Sequence, residues 1–255
     1  MRRGIVYIGG MDDFTVVITA SEPRYWMMMG GALVGGWLVM RLFGRLPENR
    51  RASALKTLGW SMVVFLGIGL GNEIFSTDPP FTVHRSLPLQ LCGINAWMLA
   101  INCFYRNPRV FAFAGFLGII GGFHSFMTPE FNTGASGFSV IVYTIKHAAL
   151  IWVPIIMYRT YGMRFARYAW LRVYFSLALL SFVMIGINGA LNIYWPSDIG
   201  AVANYMFTWV APVADNPFIL DWAWPWYLAP LHLVLIGHLV LVNFFFRRRE
   251  SGPML

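Results

Sequence analysis

Charge is scarce in this 255-residue chain: 12% of the residues are charged and 58% hydrophobic, with a mean hydropathy of +0.59. Such a mixture lies far from the soluble globular norm and describes a membrane protein. Cysteine is scarcer still, with only Cys92 and Cys103. Both fall in one apolar run, about 16 Å apart along a helix axis. That separation exceeds the roughly 7 Å limit for a disulfide, so two free thiols are expected. The histidines show no paired spacing typical of zinc, so neither a metal nor another cofactor is expected. The last apolar run, Tyr227 to Phe246, contains no lysine, which argues against a retinal protein. No internal half-repeat of the kind that builds many transporters is visible, and no low-complexity segment.

What is abundant is apolar sequence in runs of bilayer-spanning length. Seven runs stand between charged or Pro-rich breaks: Trp26 to Phe43, Lys56 to Phe75, Leu87 to Phe104, Val110 to Met127, Phe138 to Tyr158, Leu171 to Tyr194 and Tyr227 to Phe246. Spans of about 20 apolar residues with short loops use up the chain and leave no room for a sizeable soluble domain. The expectation is an all-α polytopic bundle of seven transmembrane helices, a single integral membrane domain over residues 1–255. The opening MRRGIVYIGGM is too short for a signal-peptide core and is expected to stay in the mature chain.

The basic residues are strongly biased in position. Arg41, Arg45, Arg50, Arg51, Lys56, Arg106, Arg109, Arg159, Arg164, Arg167, Arg172, Arg247, Arg248 and Arg249 all fall on one side of the seven runs. Arg2, Arg3, Arg24 and Arg85 fall on the other, beside Asp12, Asp13, Glu22, Asp78, Glu130, Asp198, Asp215 and Asp221. Positive charge is retained on the cytoplasmic side, so the amino terminus is expected outside and the carboxyl terminus inside. The same bias accounts for a pI of about 9.8 through an anionic cytoplasmic leaflet, and no nucleic-acid partner is expected. The basic tail and loops suit a bacterial inner membrane.

Irregular sequence gathers outside: Ser76 to Ser86 with Pro79 and Pro80, Thr128 to Gly137, and the long Pro196 to Trp226 with Pro212, Pro217 and Pro225. Trp222, Trp224 and Trp226 suit an interfacial belt. The glycines of Gly67 to Gly71 and Gly115 to Gly122 suit close helix packing.

Cys92 has the richer setting of the two thiols, flanked by His84, Arg85, Gln90 and Asn95 in HRSLPLQLCGIN, with Pro88 fitting a first-turn position of its helix. Cys103 sits beside Asn102 and Tyr105, where packing is the default. A thiol becomes a nucleophile when a base or positive surroundings favour its thiolate. Counted from the outer ends of the runs, Cys92 lies about 8 Å deep, His124 about 5 Å, His147 about 14 Å and His232 about 8 Å, whereas His238 at about 17 Å is less favoured. His147, His124 or His232 can each serve as the base. Lys146 and His147 are adjacent ionisable residues inside an apolar run, which makes them functional candidates, with packing against Glu73, Asn188 or Asn192 as the plainer use.

The segments LPLQLCGINAW (Leu87 to Trp97), GGFHSFMTPEF (Gly121 to Phe131), KHAALIWVPI (Lys146 to Ile155), NYMF (Asn204 to Phe207) and PFILDWAWPWYL (Pro217 to Leu228) together resemble the YwaF-like integral membrane family, in order, over about residues 60–245. Eukaryotic relatives, the transmembrane protein 164 group, are acyltransferases acting on lyso ether phospholipids. The resemblance implies a membrane-embedded acyltransferase with Cys92 as nucleophile and His147 as general base, passing a fatty acyl chain to or from phospholipids or lysophospholipids through a thioester. Asn95, Asn204 and Lys146 are the candidate oxyanion donors, with interhelical bonding the plainer use of Asn95. Asn188 and Asn192, four residues apart, border the site or lock helices. Arg85 can grip a lipid phosphate or anchor at the interface. Chain and acceptor preference do not carry over.

The rival class is a non-enzymatic seven-helix transporter or sensor, in which Glu73, Lys146, His147 and Asn188 would line a pathway. Cys92 discriminates the two, because only the transferase needs its thiol.

Overall fold

The computed structural model describes residues 15–131, 134–212, 219–220 and 222–247. The opening MRRGIVYIGGM, the charges Arg2, Arg3, Asp12, Asp13, Asp215, Asp221, Arg248 and Arg249, and Pro217 lie outside the described residues.

Among the described residues seven α-helices follow one another: α1 (Pro23–Arg45), α2 (Glu48–Ile74), α3 (Leu91–Tyr105), α4 (Pro108–Met127), α5 (Gly137–Tyr161), α6 (Ala169–Tyr194) and α7 (Leu228–Phe246). Six of them are long and apolar enough to cross a bilayer, and α3 is the exception at 15 residues. The protein is therefore an integral multi-pass membrane protein. The only described strands, β1 (Val16–Val17) and β2 (Glu130–Phe131), form an antiparallel pair that ties the segment before α1 to the segment after α4.

The third apolar run becomes a helix later than expected. Helix α3 begins at Leu91, so Pro88 lies before it and not in its first turn. The side chain of Gln90 is drawn away, accepting from the Met206 amide at 2.8 Å and donating to the Asn204 carbonyl at 3.2 Å. Residues 87–90 turn back over the helix start. A Cβ added to Gly93 would stand 2.9 Å from the Pro88 carbonyl oxygen. This turn puts Cys92 at the second position of α3 instead of more than a turn inside it.

The far end of α3 is set by local chemistry. Arg106 adopts the left-handed conformation (φ 50°) that ends the helix, and Asn102 Oδ1 accepts from the Asn107 amide at 2.7 Å. Asn107 in turn caps α4 by accepting from the Arg109 and Val110 amides, with Pro108 as the first helical residue. With α3 and α4 levelled by so short a turn, the five-residue difference in their lengths sets the start of α3 about 7 Å short of the end of α4. Cys92 is accordingly level with Gly121 and Gly122.

Helices α3, α4 and α5 form the buried heart, with Leu99, Ala100, Phe111, Ala114, Phe116 and Leu150 among its solvent-free side chains. Two α4 glycines bring α5 in. Pro154 cannot donate to the carbonyl a turn earlier, which frees the Leu150 oxygen. Gly118 packs on that oxygen, so closely that an added Cβ would lie 2.9 Å from it. One turn on, a Cβ at Gly122 would lie 2.7 Å from Ile151 Cγ1 and 3.0 Å from the His147 carbonyl oxygen. His147 therefore sits at the height of Gly122, which is the height of Cys92.

Candidate active site

At that height the helices enclose a cavity of about 520 Å³. Cys92, His147, Lys146, His124 and Arg85 all line it, so five of the residues singled out in the sequence share one space. Asn95, Asn188 and Asn204 are not among its lining residues.

His147 is buried and held on all sides. Its Nδ1 lies 2.8 Å from the Tyr143 carbonyl oxygen one turn earlier. Only a protonated nitrogen can donate to a carbonyl, so Nδ1 carries the hydrogen and Nε2 keeps its lone pair. The ring packs on Tyr143 at 3.9 Å between centroids, with Phe126 edge-on at 6.4 Å. Tyr143 is fixed by donating its hydroxyl to the Ser125 carbonyl at 2.9 Å and by packing on Phe131. Cys92 and Tyr143 line the same cavity. Tyr143 is thus a site residue absent from the sequence-based candidates. Its signal is its spacing, four residues before His147 on the same helix face.

Cys92 itself is half-buried and free, and it opens α3. The first amides of a helix have no carbonyl one turn earlier to bond, so those of Cys92 and Gly93 are left pointing out of its end. Lys146, also half-buried, places its Nζ 6.0 Å from the Tyr143 ring centroid.

The other histidines divide between the cavity and the scaffold. His124 and His238 meet edge to face at 5.0 Å, and His232 lines the cavity beside Tyr174. His238, less favoured on depth, is part of the lining because the cavity reaches down α7 from Leu228 to His238. Its Nδ1 faces the Val234 carbonyl at 2.8 Å, the same arrangement as in His147. His84 is instead tied to the end of α6, with Nε2 2.8 Å from the Trp195 carbonyl. No group of three or more His, Cys, Asp or Glu among the described residues is placed to hold a metal ion.

Asn188, Asn192 and Asn204 build the roof of the cavity. Asn188 accepts from the Tyr205 amide at 2.9 Å and donates to the Tyr205 carbonyl and to Thr208 Oγ1. Asn192 exchanges two bonds with Ala203, and Asn204 accepts from the Trp209 and Val210 amides while donating to the Val210 carbonyl. These bonds lock residues 201–210 onto α6. The Tyr205 hydroxyl then reaches the loop before α3, donating to the Val83 carbonyl at 2.6 Å and accepting from the Leu87 amide. Burial pushes the Tyr205 phenol up to about 12, so it stays a donor at neutral pH. Met206 and Phe207, both lining the cavity, hold left-handed conformations (φ 57° and 52°) that cost non-glycine residues about 1–3 kcal/mol each. Gln90 on the Met206 amide and Tyr227 Oη on the Phe207 carbonyl keep them there. Asn95, one turn beyond Cys92, is buried and its side chain makes no hydrogen bond among the described residues. Arg85 is 7% exposed, donating from Nη2 to the Pro80 carbonyl at 3.1 Å while lining the cavity.

The model of the TMEM164 family matches residues 19–242, nearly the whole described chain and every helix that contributes to this cavity. The chain belongs to the TMEM164 family. The matched residues take in the α3 start, the α4 glycines, the Lys146–His147 pair and the roof, so the cavity belongs to the family-related part of the molecule. Neither a curated protein nor a solved structure matches this TMEM164-family chain.

Proposed function

We propose that this protein is a membrane-embedded phospholipid acyltransferase that works through a thioester on Cys92. The observation that carries the reading is that a free thiol at a helix start and a histidine whose Nδ1 is engaged by the Tyr143 carbonyl line one cavity at one height. His147 Nε2 takes the thiol proton as Cys92 Sγ attacks the ester carbonyl of a phospholipid, forming the S–C bond. The tetrahedral oxyanion that develops is met by the Cys92 and Gly93 amides and the positive end of the α3 dipole, with Lys146 as the nearby cation. Collapse breaks the C–O bond, and the imidazolium returns its proton to the departing lysophospholipid oxygen. In the second half a lysophospholipid hydroxyl gives its proton to Nε2 and attacks the thioester carbonyl. The C–S bond breaks, and the sulfur recovers the proton from His147.

Arg85, at the cavity wall, is placed in this scheme against the lipid phosphate. Both substrates are bilayer components, so a cavity within a multi-pass protein meets them without extracting them into water. A bacterial inner membrane, amino terminus outside, is the setting that the arginine bias favours.

The test is transfer of a radiolabelled acyl chain from a diacyl phospholipid to a lysophospholipid by purified protein in vesicles. Wild-type protein should transfer the label, and Cys92→Ala should lose it while retaining its thermal unfolding midpoint. Undiminished transfer by Cys92→Ala would rule out the thioester.

A further inference from the structure

A second cavity, a groove of about 660 Å³, lies between α1, α2 and α5, and of its lining the mechanism above uses only Lys146. Among the described residues its charged lining is Arg24 and Lys146. Its remaining walls, apart from Ser61 and Thr144, are apolar or glycine. Trp152 fixes the register of the walls by donating from Nε1 to the Ala32 carbonyl at 3.0 Å. Its indole lies directly across the α1 backbone at Gly36, leaving no space there for a Cβ. Arg24 lies in the first turn of α1, and Lys146 lies about 9 Å before Trp152 on α5, towards the same end of the groove. The α5 wall begins at Val140, about 9 Å before Lys146, so Arg24 stands at that end of the groove and Lys146 stands inside the half nearer to it.

From Met27 to Val39 the α1 wall runs about 18 Å. One leaflet of a bilayer's hydrocarbon core is about 15 Å thick. An apolar slot of leaflet length, with one cation at its head and a second in the same half, has the length and charge to take a phospholipid lying along the bilayer normal. The groove also adjoins the active-site cavity, since Lys146 and Leu66 line both.

We infer that the groove between α1, α2 and α5 is a binding site for a membrane phospholipid, with one acyl chain along the α1 wall and the phosphate between Arg24 and Lys146. Arg24 shares its charge with Glu22, whose Oε2 lies 2.5 Å from its Nε, which leaves the terminal guanidinium nitrogens for phosphate. A lipid held there presents its ester linkage at Lys146, the wall shared with the Cys92 cavity. This site deepens the acyltransferase reading and rests on it for its purpose, although occupancy itself does not depend on the chemistry.

Gly31 and Gly35 line the groove, and the space into which a Cβ would project is open at both, so larger side chains there fill the slot without striking the backbone. The experiment uses vesicles containing phosphatidylglycerol with a diazirine in one acyl chain, photolysed with wild-type protein, Cys92→Ala, Gly35→Trp and Gly31→Phe, followed by peptide mapping. The expected result is label concentrated between Met27 and Val39 and between Thr144 and Ile156, competed by unmodified phosphatidylglycerol. Gly35→Trp and Gly31→Phe should lose most of it while keeping the wild-type unfolding midpoint, and Arg24→Gln should weaken competition. Label spread evenly over the lipid-facing side of α6, or unchanged in both filled variants, would overturn the site. So would a groove shielded by photocrosslinking to a second copy of the chain. Cys92→Ala should be labelled in the groove as wild type is; in wild-type protein, groove labelling without acyl transfer would sink the thioester and leave the groove, and acyl transfer without groove labelling would do the reverse.

Discussion

The two ends of α3 carry the two cysteines, and their surroundings are opposite. Cys92 stands in the first turn of the helix, half-buried, with no side-chain cap at that end and a cavity in front of it. Cys103 is 2% exposed near the other end, packed against α2 so closely that a Cβ on Gly59 would lie 2.8 Å from its own Cβ. There the polar groups are consumed by structure: Asn102 holds the Asn107 amide, and Asn107 caps α4. One helix thus has a closed end that fixes its height and an open end that is free for chemistry. The closed end is what makes the open end accurate, because α3 and α4 are levelled there and Cys92 is delivered to the plane of Gly122 and His147.

That contrast can be broken at several points. Cys92→Ala is expected to have the largest effect, complete loss of the acyl-enzyme and of transfer, read as radiolabel in the acceptor lipid. His147→Gln keeps a donor for the Tyr143 carbonyl but has no base, and transfer should fall by about 10²–10⁴-fold with little change in substrate affinity. Gly122→Ala would push α5 away at the His147 carbonyl; the displaced base should cost about 10–100-fold in rate, since small misplacements are expensive in catalysis. Tyr205→Phe removes the hydroxyl that joins the roof to the loop before α3, and thermal or denaturant unfolding should show a loss of about 1–2 kcal/mol. Cys103→Ala should have the smallest effect, about 1 kcal/mol of stability from the lost sulfur contacts and wild-type transfer.

Much of the bundle is legible in the residues, since six of the seven runs match long apolar helices to within a few residues, apart from the start of α2, which extends back through polar residues to Glu48. Those long runs are what a bilayer demands of a chain, so composition alone exposes them. The start of α3 is not legible. Leu87 to Gln90 runs into the helix with its two leucines and no charge, and it is turned aside by Pro88 and by the grip of Asn204 and Met206 on Gln90, a contact more than 110 residues away in sequence. The same distance hides the roof. Asn188 and Asn192 read equally well as site or lock, and only the backbone of Ala203 to Thr208 makes them a lock. Depth counting brings Cys92, His124 and His232 together and undervalues His238, because a cavity extends along a helix and is not a plane across it. Tyr143 escapes a reading of the residues because its part is to hold His147, a role that shows only in the ring packing and in the carbonyl bond.

The most direct measurement is intact-protein mass spectrometry after incubation with bilayer phospholipids, with peptide mapping of both cysteines. The account predicts a fatty-acyl increment on Cys92 that hydroxylamine removes, none on Cys103, and none on Cys92 when His147 is replaced by glutamine. An increment divided between the two thiols, or one on Cys92 that is indifferent to His147, would contradict it.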